Sequence, residues 1–194
     1  RPLFAAEANL YGVERVYSVS ARVQNSSPAF GARAFAYAVN FYDAGDILLK
    51  SVPGKSFIYA NSAKNIVEAG VRITNGIPDR AEMVIDDSTV DWERTADFSE
   101  PKYELKDVSV ELEDGQVAIS GSVLNPNNFT FSKVVIGVFL SDKIGLKAGA
   151  SRTELNNVGQ FRQNNFKLFI PVQKDMLNNI DLDASAKSVS VSVL

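Results

Sequence analysis

Asn125-Pro126-Asn127-Asn128-Phe129, with the alternating run Val134 to Asp142 behind it, is the stretch on which the fold is read. In that run Val134, Ile136, Val138 and Leu140 share one parity, which predicts a strand with those four side chains inward. Upstream, Val117, Ile119, Gly121 and Val123 alternate in the same way and stop at Asn125. Asparagine favours turns and proline removes a ladder donor, so the pattern reads strand, corner, strand. It occurs twice. Val19, Ala21 and Val23 run into Asn25-Ser26-Ser27-Pro28, and Phe35, Tyr37, Val39 and Phe41 then share a parity up to Asp43. The intervening Ala34, Ala36 and Ala38 form a small, flat opposite face.

Shifting the chain by 100 places Val19, Ser20, Val23 and Asn25 on Ile119, Ser120, Val123 and Asn125. Beyond the corner the offset is 99, which lays Val39-Asn40-Phe41-Tyr42-Asp43 on Val138-Phe139-Leu140-Ser141-Asp142. A residue lost inside a strand would invert its faces, so the slack residue is expected just after the corner. Two copies of one unit, each of roughly seven short strands with frequent turn signals, predict an all-β chain of two tandem immunoglobulin- or fibronectin-III-like β-sandwiches. The expected domains are 1–97 and 102–194, with a short polar linker over 93–101 that ends Ser99-Glu100-Pro101.

In the first unit, Leu3 to Leu10 reads as a strand or a short helical lead-in, and a strand is expected from Val13 to Gln24. Turns are expected at Asp43-Ala44-Gly45-Asp46, Pro53-Gly54 and Asn75-Gly76, and a loop over Asn61 to Asn65. Short strands fill the intervals, Ser56 to Ala60 and Ile66 to Thr74. Ala81 to Trp92 supplies Met83, Ile85, Val90 and Trp92 to the core, with an interruption at Asp86-Asp87-Ser88. The second unit offers Leu105, Val108, Val110 and Leu112, and an Asp114-Gly115 hairpin whose turn needs positive φ. Further strands follow at Thr153 to Val158 and at Phe166, Leu168 and Ile170. Met176 to Ile180 reads as a helical turn, and Ser188 to Leu194 as the closing strand.

Bulk properties narrow the class. The chain of 194 residues is 45% apolar and 22% charged, enough for packed cores. A net charge of −3 and a pI near 5.1 argue against a nucleic-acid binder, which needs a basic stripe for phosphates. No segment is a bilayer-spanning apolar run. There is no cysteine and no histidine. Disulfides, thiolate chemistry, the commonest general base and the commonest transition-metal ligand are thereby missing. The expectation is a non-enzyme with no catalytic, cofactor-binding or metal-binding residues. The opening Arg1-Pro2-Leu3-Phe4 lacks an initiator methionine, which predicts a processed product with a signal peptide or membrane anchor upstream.

Val123-Leu124-Asn125-Pro126-Asn127-Asn128-Phe129, Gly137, Leu146-Lys147-Ala148-Gly149 and the apolar Phe166 to Val172 make the second unit similar to the late-embryogenesis-abundant type 2 (WHy) domain. Asn25-Ser26-Ser27 and Val39-Asn40-Phe41-Tyr42-Asp43 make the first resemble an FxLYD-type domain. Valine stands there where that family prefers phenylalanine, and phenylalanine where it prefers leucine. The resemblance implies immunoglobulin- or fibronectin-like sandwiches that follow a signal peptide or a single anchor and serve as non-catalytic modules, with no catalytic residues to carry over.

Four groups of residues bear on chemistry. Asp43, Asp46, Asp86, Asp87 and Asp114 lie in turns and have oxygens suited to Ca²⁺, but no EF-hand spacing; solvated turn residues are the plainer reading. Asn25-Ser26-Ser27 and Asn128-Phe129-Thr130 fit the glycosylation pattern, which corner chemistry alone also produces. Tyr11, Tyr17, Tyr37, Tyr42, Tyr59, Trp92 and Tyr103 suit a sugar-binding face or, more simply, strand cores. Ser62 with Lys64 and Ser56 with Lys55 are near in sequence only, which is not the geometry of a serine–lysine dyad. The function expected is an extracytoplasmic (periplasmic or cell-surface), membrane-anchored structural, adhesive or protein-interaction module. It would bind protein partners through sheet edges or the alanine-rich face, and touch membrane only through an upstream anchor. The alternatives are an ion- or glycan-binding module, or a stress-protective domain of WHy type.

Overall fold

The computed structural model describes residues 2–194. It is all-β, at 67% strand and 5% helix, and its strand pairings are antiparallel. The chain divides into two compact units, Arg1–Glu100 and Pro101–Leu194.

The first unit runs β1 (Leu3–Val13), β2 (Val16–Asn25), β3 (Phe30–Tyr42), β4 (Leu48–Ile58), β5 (Ser62–Arg72) and β6 (Arg80–Arg94). These form two sheets, β1-β2-β5 and β4-β3-β6. The second unit runs β7 (Glu104–Glu113), β8 (Gln116–Leu124), β9 (Phe131–Asp142), β10 (Lys147–Val158) and β11 (Gln163–Pro171). A 3-10 turn (Leu177–Asn179), β12 (Ile180–Asp181), a short helix α1 (Leu182–Lys187) and β13 (Ser190–Val193) complete it. Its sheets are β7-β8-β11 and β10-β9, the latter extended by β12 and β13 on β9. The connectivity is the same in both units. First, second and fifth strands make one sheet; fourth, third and a final, interrupted strand make the other.

Parity reading places the cores correctly. Phe35, Tyr37, Val39 and Phe41 are at most 3% exposed, and Val134, Ile136, Val138 and Leu140 are fully buried. In each unit one apolar cluster draws on both sheets. Burying a side chain of this size is worth roughly 1.5–3 kcal/mol, and β3 and β9 each contribute more residues to their unit's core than any other strand.

The repeat extends to irregular detail. Asp43 and Asp142 each accept two tip N–H groups on one carboxylate oxygen, from Gly45 and Ile47 and from Ile144 and Leu146. Both hairpins close at the same backbone positions, Asp43 N to Ile47 O and Asp142 N to Leu146 O. Register shifts also correspond, in the first strand at Ala5/Ala8 and Lys106/Ser109 and in the fourth near Leu48 and Lys147.

Several expectations need correction. The strand placed from Val13 to Gln24 is two strands, because the chain turns at Glu14 and Arg15 with φ of 48° and 67°. That is the same turn as Asp114-Gly115 at 49° and 77°. The second unit uses residues that tolerate this region, whereas the first uses residues that advertise nothing. A left-handed arginine costs about 1–2 kcal/mol, against a smaller entropic penalty for glycine. Arg15→Gly should therefore raise stability by about 0.5–1 kcal/mol in urea unfolding; a lower midpoint would show the turn to be unstrained.

Pro53 and Gly54 are not a turn but lie within β4. β4 is an edge strand, where a proline can sit without removing a ladder bond. Gly54 faces Tyr37 across the ladder, and a Cβ built on it would lie 2.5 Å from the Tyr37 Cε2 and closer still to its Cζ, an impossible approach. Asn61 to Asn65 is not a loop, since β5 begins at Ser62. The units have six strands and seven, and most are longer than expected. Trp92 and Leu112 are 38% and 51% exposed and do not belong to the cores. Within the expected linker, Glu93 and Arg94 finish β6 and Phe98 is buried with its ring 4.5 Å from Tyr59, while 95–97 are an exposed turn. Helix α1, absent from the sequence reading, is capped by Asp181, whose side chain accepts the Ala184 N–H.

Candidate interaction face

The central strand β3 sends its large side chains inward and Ala34, Ala36 and Ala38 outward. Across the ladder, Ala36 faces Lys55 on β4 and Asp86 on β6, and Ala38 faces Pro53 and Val84. Methyl floors between longer flanking side chains leave a shallow depression of about 550 Å³. Its wall is Val84, Asp86, Asp87 and Ser88. The expected interruption of β6 makes this wall. The register with β3 jumps from Asp86 to Asp91, so the intervening residues bulge. Thr89 fills the gap in the ladder: its hydroxyl accepts the Ala36 N–H at 2.8 Å and donates to the Asp86 carbonyl at 2.8 Å. Asp86 in turn accepts from the Ser88 N–H and hydroxyl. Ala34 is exposed and Ala36 and Ala38 are half-buried. The second unit has no equivalent, because Phe139 lies at that face, 6% exposed, with the Lys147 ammonium 4.5 Å from its ring.

The sheet edges, also expected as partner surfaces, carry charge. β4 has Lys50, Lys55 and Pro53; β7 has Lys106, Asp107, Glu111 and Glu113. Charge and proline discourage indiscriminate strand addition.

The corners prove to be staples. Asn25 and Asn125 are 1% and 0% exposed. The Asn25 amide donates to the carbonyls of Phe30 (2.8 Å) and Tyr59 (3.0 Å), and its oxygen accepts the Ser27 N–H. Asn125 donates to Phe129 (2.7 Å), Val158 (3.1 Å) and Gly159 (3.2 Å) and accepts from the Asn127 N–H. Each staple ties the turn after the second strand to the turn after the fourth. The first acceptor lies five residues on in one unit and four in the other, which puts the slack residue between Asn25 and Phe30. With both amide protons bonded, Asn25 is closed to glycosylation in the folded state, while Asn128 is exposed.

The turn aspartates are not gathered. Asp43 holds its own hairpin, Asp46 pairs with Arg80 at 2.8 Å, Asp86 organises the bulge and Asp114 sits in another turn. Among the described residues no group of three acidic side chains is placed to hold a metal ion. The tyrosines are dispersed as well. Tyr37 donates to the buried Glu68, Tyr42 lies beneath Arg80, Tyr59 stacks with Phe98, and Tyr103 donates to the Val191 carbonyl. Burial pushes the phenol of Tyr59 well above its usual range, with Glu100 adding to the effect, so it stays protonated near neutral pH. Tyr11 moves the same way, by burial against a smaller opposing contribution from its hydrogen bond to Ser20. Neither serine–lysine pair forms a dyad. The Ser62 hydroxyl donates to the Tyr59 carbonyl while Lys64 sits 3.9 Å over the Phe57 ring, and the Ser56 hydroxyl points to the Phe57 carbonyl.

Two features go beyond what the sequence signals, although the interruption at Asp86-Asp87-Ser88 is itself expected. The Asp86–Ser88 bulge walls the alanine face, a juxtaposition that only strand register creates. The β9–β10 hairpin tip exposes Ile144 and Leu146 to 81% and 62%. No helix among the described residues is long and apolar enough to cross a membrane. No protein-family model matches the chain, and no curated protein matches it.

Proposed function

We propose that the chain is a pair of immunoglobulin- or fibronectin-III-like β-sandwich domains acting as a non-catalytic, extracytoplasmic, membrane-anchored interaction module. In this reading the alanine face of the first domain receives a protein partner. The fold part is supported by the shared connectivity of the two units, with first, second and fifth strands opposite third, fourth and final strands. The Asn-Pro-Asn corner supports the resemblance to WHy domains. The extracytoplasmic and anchored part rests on that resemblance alone, so it is analogy from family to chain.

The observation that carries the interaction reading is the open, methyl-floored depression walled by Asp86 and Asp87, with Lys55 at the register position across the ladder from Ala36. A flat small-residue floor lets another backbone approach closely, and the flanking charges would fix its orientation. Ala36→Arg fills the floor without touching the core. Affinity capture from the native cell envelope should recover a partner with the wild-type chain and lose it with Ala36→Arg, at unchanged melting temperature. Recovery of the same proteins by both chains would remove the alanine face from the account.

A further inference from the structure

The β9–β10 hairpin tip, Asp142 to Leu146 with Lys147 behind it, is built unlike a solvated turn. Asp142 is only 8% exposed, and one carboxylate oxygen accepts the N–H groups of Ile144 (3.0 Å) and Leu146 (2.8 Å). Gly145 takes φ of 86°, and the hairpin closes from Asp142 N to Leu146 O at 2.8 Å. The tip is therefore fixed, with its acid turned inward and its two largest apolar side chains outward. Both flanking cations are held back from the apex. Lys143 Nζ donates to the Asn178 carbonyl at 2.7 Å, and Lys147 Nζ lies 4.5 Å from the Phe139 ring centre.

We propose that this tip docks the second unit on an anionic lipid bilayer, with Ile144 and Leu146 entering the acyl boundary and Lys143 and Lys147 meeting lipid phosphates. Interfacial binding needs this order, apolar groups in front and ammonium groups behind at headgroup depth. Each lysine near an anionic leaflet adds attraction that decays over a Debye length of roughly 8 Å. The chain's net charge of −3 therefore does not govern contact at the tip. A protein partner fits less well. Two aliphatic side chains are far short of the roughly 800 Å² that a stable interface buries per side, and lysine is depleted at such interfaces. The corresponding tip of the first unit is an internal comparison. It exposes Ile47 and Leu48 to 63% and 52% but places Asp46, with a side chain 77% exposed, where the second unit has Gly145. Asp46 is paired there with Arg80 at 2.8 Å, and Ala44 and Leu48 stand where the second unit has Lys143 and Lys147, so the positions of the two ammonium groups are apolar. The contact would be additional to any anchor and independent of the alanine face.

The test is flotation of the full chain with vesicles of phosphatidylcholine alone or mixed with phosphatidylglycerol. The wild type should float with the mixed vesicles, several-fold less with phosphatidylcholine alone, and less again at high salt. Ile144→Ser/Leu146→Ser should lower partitioning by about tenfold or more, and Lys143→Gln/Lys147→Gln should abolish the preference for phosphatidylglycerol. Ile47→Ser/Leu48→Ser should bind as the wild type does. Unchanged melting temperatures verify folding of each variant. The proposal is overturned if the wild type does not float, if the Ile144/Leu146 variant floats equally, if only the Ile47/Leu48 variant loses binding, or if tip variants change self-association alone.

Discussion

Asn125→Ala should destabilise the second unit by about 3–5 kcal/mol. Alanine at a buried site usually costs less when the side chain removed is this small, but here the cost lies in what it leaves behind. The carbonyls of Phe129, Val158 and Gly159 lose a shared donor, and the Asn127 N–H loses its acceptor. Each buried backbone group left without a partner costs roughly 1–3 kcal/mol, and water entering the corner recovers part of that. Asn125→Asp should be no better: the acceptor remains, but a carboxylate replaces the amide among three carbonyls. Asn25→Ala should act in the same direction on the first unit, where the amide bridges Phe30 and Tyr59. Urea unfolding followed by circular dichroism measures both. A loss under about 1 kcal/mol at either position would show that the corner is held by neighbouring packing instead.

Gly54→Ala should destabilise the first unit by about 2–3 kcal/mol, the usual range for forcing extra volume into a packed site. Tyr37 covers Gly54, and the new methyl group would lie under 3.0 Å from its Cζ and its hydroxyl oxygen. Tyr37 has little room to yield, because it is 3% exposed and its hydroxyl is bonded to Glu68, itself buried. The second unit repeats the device at a different pair, since a Cβ on Gly121 would lie 2.8 Å from the Cζ of Phe166. If the clash is the cause, Tyr37→Leu in the Gly54→Ala background should recover part of the loss. A Gly54→Ala protein that unfolds at the wild-type midpoint would contradict the packing argument.

The sequence made much of this architecture legible, for a physical reason. Val134 to Asp142 and Ala34 to Asp43 are central strands with one face sealed, so the period-2 pattern is strong and register is strictly specified. The Asp43 and Asp142 hairpins and the Asp114-Gly115 turn use residues whose side chains or backbone freedom fit the turn. What escaped reading lies where sequence and conformation disagree locally. Glu14-Arg15 makes a turn that favours Asn-Gly, and Pro53-Gly54 looks like a turn but pairs as an edge strand. Phe98 sits in a polar stretch and folds back on Tyr59. Helix α1 is six residues long, too short for periodicity to show. The alanine face was visible as a pattern, but its wall depends on the register jump in β6. The exposed hairpin tip depends on which way Asp142 turns.

The corners Asn25 and Asn125 remain the clearest statement that one structural unit is used twice, since bond partners agree even where loop length differs. Side-chain amide hydrogen exchange, read residue by residue by NMR on the intact chain, tests this most directly. The account predicts that the amide protons of Asn25 and Asn125 exchange far more slowly than those of the exposed Asn128, and that both slow together with their own unit's core strands. Fast exchange at either asparagine, or protection at only one, would contradict it.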